Sequence, residues 1–209
     1  MKKVAKITPK EIKKPDKFRR TIVKAVEFVS DNYTKLGLAL LGILTVLIVS
    51  FFILHSLEQK RLRANSEFRK AVQTYLEGNK AEALKEFLSI SEKYPQEKIS
   101  KIALYYAGAI NYDLGNYDES IRILGDLIKK GIEDKNLKDA AYFTIGLSNF
   151  NKGNWQEAID YLSKVEGEKS PYRSQAKLHI GLALEKLGQF NKAEKIYREL
   201  LIQETRGIM

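Results

Sequence analysis

Residues Leu36–Leu54 (LGLALLGILTVLIVSFFIL) form a run of nineteen positions without one charged side chain. At ~1.5 Å per residue a helix of that length reaches ~28 Å, close to the hydrocarbon thickness of a bilayer. The run has no polar stripe at helical spacing, so it does not read as a core helix with one wet face. A cleaved secretory leader fits poorly as well. Thirty-five residues precede the run, and Phe51-Phe52-Ile53-Leu54-His55 stands where small cleavage-site residues would be. The reading is a single transmembrane helix at 35–55. Gly37 and Gly42 are not spaced as a GxxxG pair, so no dimer face is assigned.

Charge divides the chain at this run. Residues 1–35 carry eleven Lys and Arg against four acids, a net of +7, and residues 36–70 add +3. These two segments hold the whole formal charge of +10, and residues 71–209 carry twenty bases and twenty acids. A nucleic-acid domain needs its positive charge on the folded body. The distribution instead fits topology and attraction to anionic headgroups, so membrane lipids are expected partners and nucleic acid is not. The whole basic tail favours a cytoplasmic N-terminus, although residues 16–35 and 55–74 each hold five Lys and Arg. A long C-terminal domain crosses the membrane largely regardless of its own charge. With no cysteine there is no disulfide framework, no thiolate chemistry and no lipoprotein attachment residue.

Residues 1–15 are Lys-rich, contain Pro9 and Pro15, and are expected to be a disordered basic tail. Over 16–34, Phe18, Ile22, Val26, Val29 and Tyr33 recur at spacings of three and four, with Arg20, Lys24, Glu27 and Asp31 on the other side. That pattern predicts an amphipathic juxtamembrane helix. It suits either the headgroup layer or a neighbouring protein. Residues 55–66 contain neither Pro nor Gly, so the membrane helix is expected to run on through a helical connector at 56–62.

The remainder, 63–209, repeats. A small residue is followed seven positions later by glycine at Ala71…Gly78, Gly108…Gly115, Gly146…Gly153 and Gly181…Gly188. Five past each glycine stands Ala83, Ser120, Ala158 or Ala193, and four further on stands Phe87, Leu124, Leu162 or Tyr197. Small residues admit close helix pairs, glycine suits the turn that ends the first helix, and the large residues fill the space between units. Tyr142, Ile145, Gly146, Ala158, Leu162 and Pro171 make the third unit resemble the tetratricopeptide repeat (TPR), with Asn149 in place of an aromatic. The fold class is therefore all-α: a four-unit tetratricopeptide superhelix preceded by one transmembrane helix.

No catalytic constellation is legible. The two histidines, His55 and His179, are far apart in the chain, and no phosphate loop or metal-ligand spacing occurs. No enzyme activity, cofactor or metal is assigned. The resemblance implies a groove on the first helix of each unit, three before and four after its small residue. Those positions are Phe68 and Tyr75, Tyr105 and Tyr112, Phe143 and Phe150, then Leu178 and Glu185. Six aromatics there suit extended apolar or aromatic peptide segments. They equally suit stabilising the array, and the residues leave both readings open. The lysine and asparagine that relatives use to clamp a terminal carboxylate are replaced by Phe, Tyr and Phe and by Val72, Ala109 and Leu147.

The layout of basic tail, ITPKEIKKPDKF segment, single span and compact repeats is similar to the YfgM-like ancillary SecYEG translocon subunits. That resemblance implies a single-pass protein of the bacterial inner membrane, N-terminus cytoplasmic and repeats periplasmic. It also implies the Sec translocon and periplasmic chaperones as partners, with a role in export or folding of envelope proteins. A scaffold of an envelope complex and a receptor with cytoplasmic repeats are the alternative readings.

Overall fold

Five glycines set the punctuation of the fold. Gly78, Gly115, Gly153 and Gly188, the four turn positions of the repeat, have φ of 86°, 77°, 82° and 70°, and Gly131 has 83°. In this left-handed region a Cβ is strained, so glycine ends the helix where other residues would continue it. Paired bonds close each turn. At the second, the Gly115 N–H donates to the Tyr112 carbonyl at 2.9 Å and the Asn116 N–H to the Asn111 carbonyl at 2.8 Å.

The computed structural model describes residues 17–165 and 170–207. The basic tail expected at 1–15 lies outside the described residues. All regular elements described are helices: α1 (Lys17–Leu76), α2 (Lys80–Lys93), α3 (Lys98–Asp113), α4 (Tyr117–Lys129), α5 (Lys135–Asn151), α6 (Trp155–Leu162), α7 (Arg173–Lys186) and α8 (Phe190–Gly207). The chain divides into two compact units, Met1–Leu57 and Glu58–Met209.

The first unit contains the N-terminal part of α1, which is long and apolar enough to cross a membrane by length and composition. Its large side chains from Leu38 to Leu54 are exposed, as are Phe18, Ile22, Val26, Val29 and Tyr33 of the amphipathic stretch. No helix end marks positions 34, 55 or 62, because α1 continues through all three.

The second unit is a TPR-like stack. Helices adjacent in the chain pack together from α2 onward, and α3 also packs on α5 and α5 on α7. Where the two helices of a unit cross, the small and large repeat positions meet. A Cβ on Gly108 would stand 2.5 Å from the Leu124 Cγ, and one on Gly146 at 2.5 Å from the Leu162 Cγ. Gly181 meets Tyr197 in the same way. Three apolar clusters follow along the stack, centred on Phe87 and Ile110, on Leu124 and Ile145, and on Phe143 and Leu162. Each unit therefore buries its apolar face only against the next, as a stacked array requires.

Candidate protein-binding surface

The six aromatics singled out in the sequence lie on α1, α3 and α5, and the structure brings each against a neighbouring unit or turn. Phe68 is half-buried, with ring centroids 5.4 Å from Phe87 and 5.7 Å from Tyr106. Tyr75 lies 6.3 Å from Tyr106 and donates its hydroxyl to the Asp113 carboxylate at 3.2 Å. Burial, and then the Asp113 charge, raises its phenol above the usual tyrosine range. Tyr112 packs on Tyr117 at 5.8 Å, and its oxygen accepts from Asn151 Nδ2 at 3.2 Å. Phe143 is buried against Tyr172 at 5.2 Å, and Phe150 lies between Trp155 at 5.0 Å and His179 at 5.2 Å. These rings form a ladder along the stack, in which five of the six remain partly exposed.

Tyr105 differs from the other five because it lines a cavity of about 730 Å³. Ile102, Tyr105, Ile132, Leu137, Ala140 and Tyr172 give this cavity an apolar floor. Lys98 and Lys101 of α3 stand on one wall, and Glu133 and Asp134 of the α4–α5 connection line it too. The local sequence explains the shape. Gly131 turns the chain out of α4, and Asp134 then caps α5, its carboxylate accepting from the Leu137 N–H at 3.0 Å. α3 packs on α5, and residues near the start of each line the cavity together with Tyr172. Burial holds the Tyr105 phenol far above the ordinary tyrosine range, and the neighbouring Tyr172 adds to this. The hydroxyl therefore stays a neutral donor. A mostly apolar hollow of this volume with a few polar groups at its edge has the character of a ligand site, for which ~300–1,000 Å³ is usual.

Sequence reasoning missed Tyr172, Tyr106 and a pair of asparagine couples. Asn111 and Asn149 are buried and donate to the Ala107 and Ile145 carbonyls at 2.9 and 3.0 Å. Each also accepts at 3.4 Å from the asparagine beyond its turn, Asn116 or Asn154. The signal was present, since Asn-x4-Asn recurs in the second and third units. Asn149, which takes the place of an aromatic, thus ties its helix to the following turn.

The histidines are separately housed. His55 lies stacked on Phe51 at 6.2 Å. His179 sits edge-on to Phe143 and Phe150, with Nδ1 buried and without a hydrogen bond, and burial lowers its pKa. Among the described residues no group of three or more His, Asp and Glu side chains is placed to hold a metal ion.

The family model for "T7SS, ESX-1 secretion system protein EccA1, N-terminal domain" matches residues 42–207. The chain belongs to that family. Solved structures share the fold. One is MamA, described in a crystal structure at 21% identity and TM-score 0.60, covering 69% of this chain and 80% of that one. Another is MamA from Desulfovibrio magneticus RS-1, 15% identical with TM-score 0.58, over 68% of this chain and 76% of the other. A third, a putative kinesin light chain from Podosopora anserina with nearly identical TPR-like repeats, is 14% identical with TM-score 0.56, over 69% and 76%. At these identities they establish a TPR-like fold. No curated protein matches the chain.

Proposed function

We propose that this chain is a membrane-anchored protein-interaction module that receives extended segments of other proteins during export or folding at a bacterial envelope. The observation that carries the reading is the preformed apolar cavity at Tyr105 and Tyr172, set in a body whose residues 71–209 carry no net charge. Three further features support it. The uncovered apolar stretch of α1 has the length and composition of a membrane span. The basic residues gather before and just beyond that stretch, where they suit anionic headgroups. The family takes its name from a secretion-system protein. The similarity in layout to the YfgM-like subunits makes the Sec translocon and periplasmic chaperones the partners to test first, with the repeats on the periplasmic side.

The test is photo-crosslinking in cells from a photoreactive residue at Leu137, on the cavity floor. Adducts with envelope proteins in transit are expected, and adducts confined to cytosolic proteins overturn the export reading. Protease added to spheroplasts reports the side of the membrane, and digestion of the repeats is the expected result. A second reading places the repeats in the cytoplasm, and the even charge beside the span, five Lys and Arg in each of residues 16–35 and 55–74, does not oppose it. Protection of the repeats from external protease would establish it.

A further inference from the structure

Before the span, α1 carries an apolar face that the described residues leave open. Phe18, Ile22, Val26, Val29 and Tyr33 are exposed, and Arg20, Lys24, Glu27 and Asp31 occupy the opposite side of the helix. A headgroup layer covers such a face only when the helix lies in its plane. α1 instead runs unbroken from Lys17 to Leu76, with no proline and no helix end between this stretch and the span. It therefore leaves the bilayer along the axis of the span. From Tyr33 back to Phe18 the apolar face rises ~22 Å, at ~1.5 Å per residue, against a headgroup layer only ~5–8 Å deep. Most of the face stands in water unless protein covers it.

We propose that a second copy of this chain covers the face, the two α1 helices packing in parallel. The proposal rests on the membrane-anchored reading above. Phe18, Ile22, Ala25, Val29, Asn32 and Leu36 follow one another at alternating spacings of four and three, the heptad seam of a coiled coil. Copies anchored by the same span share one orientation, which brings identical seam residues face to face at equal depth. The β-branched Ile22 and Val29 stand where such residues favour two parallel helices. The edges of the seam fit the same arrangement. In a parallel pair Thr21 meets Val26 of the second copy and Phe28 meets Tyr33 of the second copy, so these side chains are covered too. The charges from Arg20 to Asp31 lie on the far side, so identical chains meet without like-charge repulsion and nothing on the seam selects a partner of opposite charge. Asn32 is the polar residue of the seam. Its Nδ2 donates to the Phe28 carbonyl at 3.0 Å, which leaves its second N–H and its carbonyl oxygen for Asn32 of the second copy. Such an amide pair fixes register. Confinement to one bilayer raises the effective concentration of the two seams, which lets a stretch this short pair.

The chain has no cysteine, so single cysteines report the pairing directly. The full chain in isolated membranes is oxidised with copper phenanthroline and run without reductant. Ile22→Cys, Ala25→Cys and Val29→Cys are expected to give a disulfide-linked band at twice the chain mass. Lys24→Cys and Glu27→Cys, on the far side, are expected to give at least ~10-fold less of it, because a disulfide needs Cα atoms within about 7 Å. Adding Val29→Glu to the Ile22→Cys chain is expected to lower its band at least ~10-fold, since two facing carboxylates would be buried in the seam. Adding Glu27→Gln leaves the band unchanged. Equal bands at all the cysteine positions, no band at the seam positions, or capture of a different protein in place of the second copy from a photoreactive residue at Val26 would each overturn the pairing. Alkaline carbonate extraction separates this proposal from the reading beneath it. Release of the chain sinks the anchor and the pairing together, whereas a chain retained in the membrane as a monomer sinks the pairing alone.

Discussion

Gly146 of α5 and Leu162 of α6 meet so closely that a Cβ on the glycine would stand 2.5 Å from the leucine Cγ and 3.3 Å from the leucine backbone nitrogen. The backbone cannot retreat as a flexible side chain can. Gly146→Ala is therefore expected to destabilise the array by about 1–2 kcal/mol, because the overpacking outweighs the gain in helix propensity. Gly125 of α4 supplies the contrast, since a Cβ there meets nothing within 4 Å. Gly125→Ala is expected to stabilise by roughly 0.5–1 kcal/mol. Urea denaturation of both variants checks the pair, and opposite signs are the expected outcome.

Asn149 and Asn154 close the third repeat turn from inside. Asn149→Leu removes the donor to the Ile145 carbonyl and the acceptor of Asn154 Nδ2 together. Buried groups left without partners cost about 1–3 kcal/mol. A loss in that range is expected in thermal melts, although leucine is the better helix former and the more apolar side chain. A neutral result would mean that water replaces both bonds.

These two sites also show what the sequence could and could not carry. The register of small residue, glycine and large residue is spaced regularly enough to predict which helices pair, and Gly146 and Leu162 meet as that register requires. The four turn glycines were legible for the same reason. Gly131 was not, because it lies in the connection between units, where the pattern does not repeat. Asn149 taken by itself reads as an aromatic replaced, although its meaning lies in a pair with Asn154 across the turn. The aromatic positions could be placed on one helix face, but their cover could not. Phe143 is covered by Tyr172 and His179, which belong to the next unit, and Tyr172 precedes α7 in a connection of irregular length. The cavity at Tyr105 is made by two such connections, so no periodicity announces it.

His179 makes the stability of the fourth unit pH-dependent. Its Nδ1 is buried between the Phe143 and Phe150 rings, and burial lowers the folded-state pKa below the ordinary histidine value. The folded state therefore favours the neutral ring. Its stabilising contribution is complete above the unfolded value of about 6.5 and is lost as pH falls through the folded one. Melting temperature is expected to drop on acidification below that point, and His179→Phe is expected to flatten this part of the profile. An identical acid profile in both proteins would assign the drop to other groups.

Tyr105 acts at the opposite end of the scale. Its phenol is raised by burial, so the folded state favours the protonated form. That contribution is complete below the unfolded value of about 10 and is lost as pH rises through the folded one. Alkaline titration followed by tyrosinate absorbance is expected to show one phenol that ionises only as the array unfolds. Tyr105→Phe should remove that late step and shift the alkaline unfolding midpoint upward.

Ile102 separates binding from folding. It is half-buried on α3, within the floor of the cavity it shares with Tyr105 and Tyr172. A glutamate there can swing its carboxylate to solvent, so the cost to the fold should stay near or below ~1 kcal/mol, as at partly exposed sites. The cavity suffers more, because an apolar anchor seated in it would have to desolvate the new charge. Ile102→Glu is therefore expected to reduce crosslinking from Leu137 at least ~10-fold, which corresponds to about 1.4 kcal/mol of lost affinity. Thermal melts should remain near wild type. Undiminished capture in a folded variant would mean that bound segments run along the aromatic ladder of Phe68, Tyr75, Tyr112 and Phe150 and not into the cavity.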